Sequence, residues 1–348
     1  MPNWRNCKGK AGGGVSGFWR IWPRAVAELQ STDSVNMKGL DMKNYLLPAM
    51  FAVAVSSAPA FAADLGRMVT KAPPAPAYVN PWDVAIGAAV ATDYNFRGIS
   101  QSDRGPSVTS YFEGRYNATK DFQWYAGIAG YSVKLPTDPT AEIDLYGGVR
   151  ATFGAFVLDL GLMYYYYPKE TQQFIDPTLT FVTSNPNLGF GPYTFANTDY
   201  LEFYAKGAYT FNDYFSMGAQ IYYTDDWLGT SATGTWGVLN AKFTAPANAS
   251  GFGAFLSGEV GKYWFGTGNF FGAPLVLPDY TAWNVGVGFT YKAITLDLRY
   301  YDTDASPAEC FVLTSDIRGV NSGTGTSRWC SDAYVAKLSF DTTLSALK

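Results

Sequence analysis

The sequence predicts an all-β fold: a transmembrane antiparallel up-and-down β-barrel of about twelve strands, with short turns on one rim and long loops on the other. Three observations predict it. The chain is 17% aromatic and only 16% charged, with 36 glycines, whereas soluble domains lie nearer a quarter charged. No uninterrupted apolar run reaches the ~20 residues that a spanning helix needs, yet the mean hydropathy is −0.06. Apolar and polar residues are therefore interleaved, as in a strand with one face on lipid and the other on a polar lumen. Finally, the alternating segments are joined by connections that are short and long by turns.

Met42-Lys43-Asn44 precedes an apolar run from Tyr45 to Val55 and small residues ending Ala60-Phe61-Ala62. A charged start, a short apolar stretch and an Ala-x-Ala site are the parts of a secretory signal peptide. Residues 42–62 are thus expected to be a signal peptide, cleaved between Ala62 and Ala63. Such peptides begin near an N-terminus, so the start is expected at Met37 or Met42, with 1–41 as upstream sequence. Residues 63–81 carry Lys71-Ala-Pro-Pro-Ala-Pro76. Proline-rich chain is extended and stays out of sheet interiors, which predicts a periplasmic linker before a barrel over 82–348.

From Trp82 the chain breaks into period-two segments. Over Asp199 to Phe211, Leu201, Phe203, Ala205, Gly207, Tyr209 and Phe211 share one face, and Tyr200, Glu202, Tyr204, Lys206, Ala208 and Thr210 the other. Successive side chains of a strand point to opposite faces, so this is apolar-out and polar-in. Segments 141–153 and 294–302 repeat the pattern. The strands expected are 83–97, 107–117, 122–133, 141–153, 156–167, 199–211, 215–225, 235–245, 251–265, 279–291, 294–302 and 332–340. Each has about the length a tilted strand needs to cross the hydrocarbon.

The connections 118–121, 154–155, 212–214, 246–250 and 292–293 are short, and those between them are longer, above all 168–198 and 303–331. Short periplasmic turns alternating with long external loops mark outer-membrane barrels, and an even strand count leaves both chain ends in the periplasm. Many such barrels end on an aromatic residue read by the barrel assembly machinery. Here the last predicted strand reaches Phe340 and eight residues follow, so either Phe340 serves despite the tail or the strand runs further. Aromatic residues at strand ends, Tyr164 to Tyr167, Tyr222-Tyr223, Trp264-Phe265 and Tyr300-Tyr301 on the external side, predict interfacial girdles.

Beyond the suspected upstream segment only Cys310 and Cys330 remain, both in the last long loop. Two cysteines in an exported chain predict a disulfide. There is no histidine, which removes the Ser-His-Asp and Cys-His arrangements and most zinc sites. Neither an enzyme, a metal site nor a cofactor is expected. Seven basic and three acidic residues precede Ala63, leaving 18 against 26, a net −8 with no basic run; nucleic acid is not an expected partner.

The inward positions place Asp93, Glu113, Glu142, Asp144, Asp159, Glu202, Glu259 and Asp297 in the lumen with Arg97, Arg115, Arg150, Lys206, Lys242, Arg299 and Lys337. These charges either pair across the interior or line a path for ions. Twelve strands lie between filled eight-stranded barrels and open sixteen-stranded ones, so a pore would be narrow, and inward Tyr111, Tyr125, Tyr146, Tyr204, Tyr222 and Trp236 narrow it further. Asp93 and Arg97, read as the external end of the first strand, are expected to cluster with Glu113 and Arg115 at the mouth.

Thr92-Asp-Tyr-Asn-Phe-Arg-Gly-Ile-Ser-Gln101, followed by Gly105-Pro-Ser-Val-Thr-Ser-Tyr-Phe-Glu113, resembles the first-strand signature of the TorF-type (Gcw_chp) porin-like proteins of proteobacteria. Ala141-Glu-Ile-Asp-Leu-Tyr-Gly-Gly148 and Tyr164-Tyr-Tyr-Tyr-Pro168 fit the same family, and the start at Ala63-Asp64 is similar to mature ends of rhizobial outer-membrane proteins. The resemblance implies a pore in the outer membrane that passes ions or small hydrophilic solutes. The alternative is a closed structural or adhesive barrel working through its external loops. The oligomeric state stays open.

Overall fold

A computed structural model describes residues 81–174, 193–245 and 247–347. The upstream segment, the signal peptide with Ala62 and Ala63, the linker up to residue 80 and most of the 168–198 loop lie outside the described residues. Twelve strands form one closed sheet: β1 (Trp82–Ala91), β2 (Ser107–Asn117), β3 (Phe122–Tyr131), β4 (Glu142–Phe153), β5 (Phe156–Tyr166), β6 (Tyr200–Thr210), β7 (Phe215–Thr224), β8 (Gly234–Ala245), β9 (Phe252–Phe265), β10 (Tyr280–Tyr291), β11 (Ile294–Thr303) and β12 (Ala333–Thr343). Each pairs antiparallel with its neighbours in sequence, and β12 closes the ring on β1. No described helix is long and apolar enough to cross a membrane; the strands do the crossing.

Alternation explains the wall. In β8, Leu239 and Phe243 point outward and are exposed, while Trp236, Val238 and Asn240 point inward and are buried. The five short joints lie on one rim, which the loop rule assigns to the periplasm. Their chemistry is local. Lys292 at φ 53° and Gly154 at φ 64° turn the two-residue hairpins, and the Asn212 side chain accepts from the backbone N–H groups of Tyr214 and Phe215 at 2.9 Å each.

Two strand ends differ from the sequence expectation. The first strand stops at Ala91, not at residue 97, because Arg97 (φ 51°) and Gly98 (φ 86°) form a left-handed turn. Residues 95–100 fold back as a short hairpin, Asn95–Phe96 against Ile99–Ser100, directed into the lumen. The last strand runs on past Phe340: Asp341 pairs with Gly87 and Thr343 with Ala85, so the second alternative for the C-terminal end holds. Phe340 faces outward.

The external aromatics also divide by period two. Tyr164, Tyr166 and Tyr223 face outward as girdle residues, whereas Tyr165, Tyr167 and Tyr222 are buried inside. Four adjacent tyrosines in a strand cannot all reach one interface.

The long loop between β11 and β12 folds as a lid of two helices, α1 (Pro307–Thr314) and α2 (Ile317–Asn321). Ser306 and Glu309 form a capping box at the start of α1, and these hydrogen bonds from Ser306 hold the Glu309 carboxyl below the usual carboxylate range. A Cys310–Cys330 disulfide closes the lid with Cα atoms 5.7 Å apart. Closing a loop of this length contributes about 3 kcal/mol in the chain-entropy model, here to a segment outside the barrel wall. Cys310→Ser with Cys330→Ser is therefore expected to leave the melting of the barrel nearly unchanged while speeding proteolysis within 304–332, measured by limited digestion and mass spectrometry.

Candidate functional site: the external half of the lumen

The hairpin after β1 crosses the inside of the barrel. On one side Gly98 lies against the β10–β11 wall, so close that a Cβ there would stand 2.4 Å from a Thr303 methyl and 2.8 Å from the Ala282 Cβ. On the other side Arg97 reaches Glu202 on β6, with both terminal guanidinium nitrogens donating to the carboxylate at 2.7 Å. Along the ring β11 and β6 lie almost opposite, so this one residue pair bridges the lumen.

The surroundings of the pair are aromatic and polar together. Arg97 also donates to the Tyr263 hydroxyl at 2.9 Å, and Tyr165 donates to Glu202 at 2.9 Å. The guanidinium lies over the rings of Phe96, Tyr222, Tyr263 and Trp236, 4.5–5.6 Å from their centroids. Gly261 makes room for this layer, since a Cβ there would meet the Trp236 indole at 2.2 Å. Tyr94 of the hairpin stacks on Tyr131 at 4.8 Å and donates to Glu142, as Tyr167 does from β5's end. Arg97, Tyr94, Glu202, Tyr165, Tyr222, Trp236 and Tyr263 are all buried. These side chains meet one another across the interior at this level.

Asp93 does not point to the barrel wall. It accepts from the Ser100 and Ser102 hydroxyls at 2.6 and 2.9 Å and holds the hairpin loop together. The loop is tied to the lid as well: the Ser100 N–H donates to the Trp329 carbonyl at 2.9 Å, the Trp329 indole donates to Asp103 at 3.1 Å, Arg318 pairs with Asp103, and Arg104 donates to the carbonyls of Arg328, Ser331 and Asp332.

The expected mouth cluster of Asp93, Arg97, Glu113 and Arg115 is not formed, because the early end of β1 sends Arg97 across to β6. Glu113 and Arg115 lie deeper, toward the periplasmic rim. There Glu113 accepts from Arg115 at 2.5 Å and from Arg150 at 3.0 and 3.1 Å. Arg150 also reaches Asp159 at 3.2 Å and stacks over Tyr125 at 3.7 Å. Lys206 sits over Tyr204 at 4.0 Å. Asp297 and Arg299 pair at 2.8 Å, with Arg299 also donating to Asn284 and Ser257. Asp144 stands apart: it is fully buried, and among the described residues neither oxygen has a hydrogen-bond partner. The charges therefore form separate layers, one around Arg97–Glu202 and one around Glu113–Arg150. Sequence reasoning missed the roles of Tyr165, Tyr167 and Tyr263; their parity with Glu202 and Glu142 along the strands was the signal available.

A family described as bacterial proteins of unknown function (Gcw_chp) matches residues 77–329. The chain belongs to this family. It is an all-β outer-membrane barrel. No curated protein matches it. Among solved structures it is similar to the NanC porin (9% identity, 74% of this chain and 98% of that one, TM-score 0.38). It is also similar to the β domain of the Bordetella autotransporter BrkA (12%, 75% and 99%, TM-score 0.36) and to a loop-deletion mutant of OmpT, an outer-membrane protein of Vibrio cholerae (10%, 76% and 100%, TM-score 0.33).

Proposed function

We propose that this barrel is a narrow, non-catalytic conduit for ions and small hydrophilic solutes, closed in this conformation by the 92–101 loop. The observation that carries the reading is the chemistry of the closure. A barrel needing only a filled interior is served as well or better by apolar side chains, since buried ion pairs are often no more stabilising than hydrophobic replacements. Here the filling is one ion pair set among tyrosine hydroxyls, its arginine on a loop that is not part of the wall, above a second layer of charges of both signs. Such a closure can be displaced without breaking the sheet. Outer-membrane lipid around the apolar wall and the barrel assembly machinery at the C-terminal strand are the partners the reading requires.

Conductance of the refolded mature protein in a planar bilayer under a salt gradient tests this. Brief, small steps are expected from the wild type, and long-lived larger ones after Arg97→Ala. Silence from both, with heat-modifiable folding confirmed, overturns the conduit. It would favour a closed barrel working through its outer surface, where Phe270 and Phe271 of an external hairpin pack on Phe195 at 5.6 Å each and Val276 at the base of the same hairpin is 75% exposed.

A further inference from the structure

The buried acids of the external lumen differ in how they are met. In the external half stand Asp93, Glu142, Asp144 and Glu202, all buried; Arg97 lies among them, while Arg299 lies across the ring on β11, paired with Asp297. Arg97 is committed to Glu202 by two hydrogen bonds. Asp93 is met by two serine hydroxyls and Glu142 by two tyrosine hydroxyls, which are donors without charge. Asp144 has neither a cation nor a donor on either oxygen among the described residues. Burying an unpartnered carboxylate is costly, and a native buried polar group without a partner calls for a water, an ion or a functional reason.

We propose that Asp144 holds a small monovalent cation of the alkali-metal kind in the external half of the lumen. Position supports it. Asp144 is on the same face of β4 as Glu142, about 7 Å away by strand geometry, and in register it lies between Tyr165 of β5 and Ala129 of β3. Ala129 leaves one side without a bulky chain, and on the other Tyr165 carries a hydroxyl whose hydrogen goes to Glu202 and whose oxygen keeps lone pairs for a cation. Ligand class follows from what is missing as well. No three acidic, histidine or cysteine side chains converge to chelate a metal among the described residues, whereas calcium takes six to eight oxygens. A singly charged ion with one carboxylate and neutral oxygens fits the set. The site stands whether or not the barrel conducts.

Thermal unfolding of the refolded barrel, followed by its heat-modifiable mobility, tests the assignment at constant ionic strength. N-methylglucamine chloride is replaced stepwise by sodium chloride, and in a parallel series by potassium chloride. A ligand that binds only the folded state raises its melting point by mass action, so a saturable rise of several degrees is expected with one of the two ions. Asp144→Asn should abolish the rise, while Asp213→Asn in a periplasmic turn should keep it. A wild-type melting point that is the same in all three salts overturns the proposal without reference to any variant. So does an Asp144→Asn protein that keeps the full response. Because melting and conductance are separate readouts, failure here leaves the conduit reading in place, and the reverse holds too.

Discussion

Arg97→Ala is expected to lower the stability of the folded barrel by about 3–5 kcal/mol, the range for breaking a buried ion pair from one side, and to raise its conductance several-fold. Glu202 is fully buried, so removing its partner leaves a charge with Tyr165 and Tyr263 as its donors among the described residues. The same change removes a guanidinium that fills the space between four rings. Loss of packing and loss of charge therefore act together. Heat-modifiable mobility gives the first number and single-channel recording the second. Arg97→Ala combined with Glu202→Ala should recover much of the stability, because the stranded charge goes with its partner, but should keep the high conductance. If the double variant is as unstable as the sum of the two single ones, the pair is not coupled and the account of the closure fails.

Leu239→Arg is expected to destabilise the barrel by about 2–4 kcal/mol, the cost of an arginine at mid-depth on a lipid-facing wall. Leu239 lies at the middle of β8 and points outward. Val276→Lys supplies the contrast. Val276 is more exposed than Leu239 but belongs to the external hairpin beyond β9, where lysine meets water, and its stability should be unchanged. Equal losses in both would mean that exposure, not lipid contact, sets the cost, and would count against the depth assigned to β8.

The wall was legible in the sequence to within a few residues because period two is a local signal repeated twelve times, and short turns separate the repeats. The two cysteines were legible for a similar reason, since both lie in one loop of an exported chain. The early end of β1 was not. Asp93, Asn95 and Arg97 continue the alternation of the strand before them, and only the left-handed Arg97-Gly98 turn and the serines that bind Asp93 reveal a loop. Nor could the Arg97–Glu202 pair be read, as its members are 105 residues apart and meet through the curvature of the closed sheet. Placing Arg97 at the rim followed directly from extending the strand.

The contacts between the hairpin loop and the lid have a mechanical consequence. Every strand joint in the ring but one links neighbours in sequence; the exception is the joint of β1 and β12, where no hairpin turn helps to hold the edges together. The hairpin loop leaves the external end of β1, and the lid leads into the external end of β12. Arg104, Ser100 and Asp103 on one are bonded to residues 318–332 on the other. They act as a clasp over the seam, with the disulfide stiffening one half of it. The barrel is therefore fastened against parting sideways at the one joint of the ring that no hairpin turn closes.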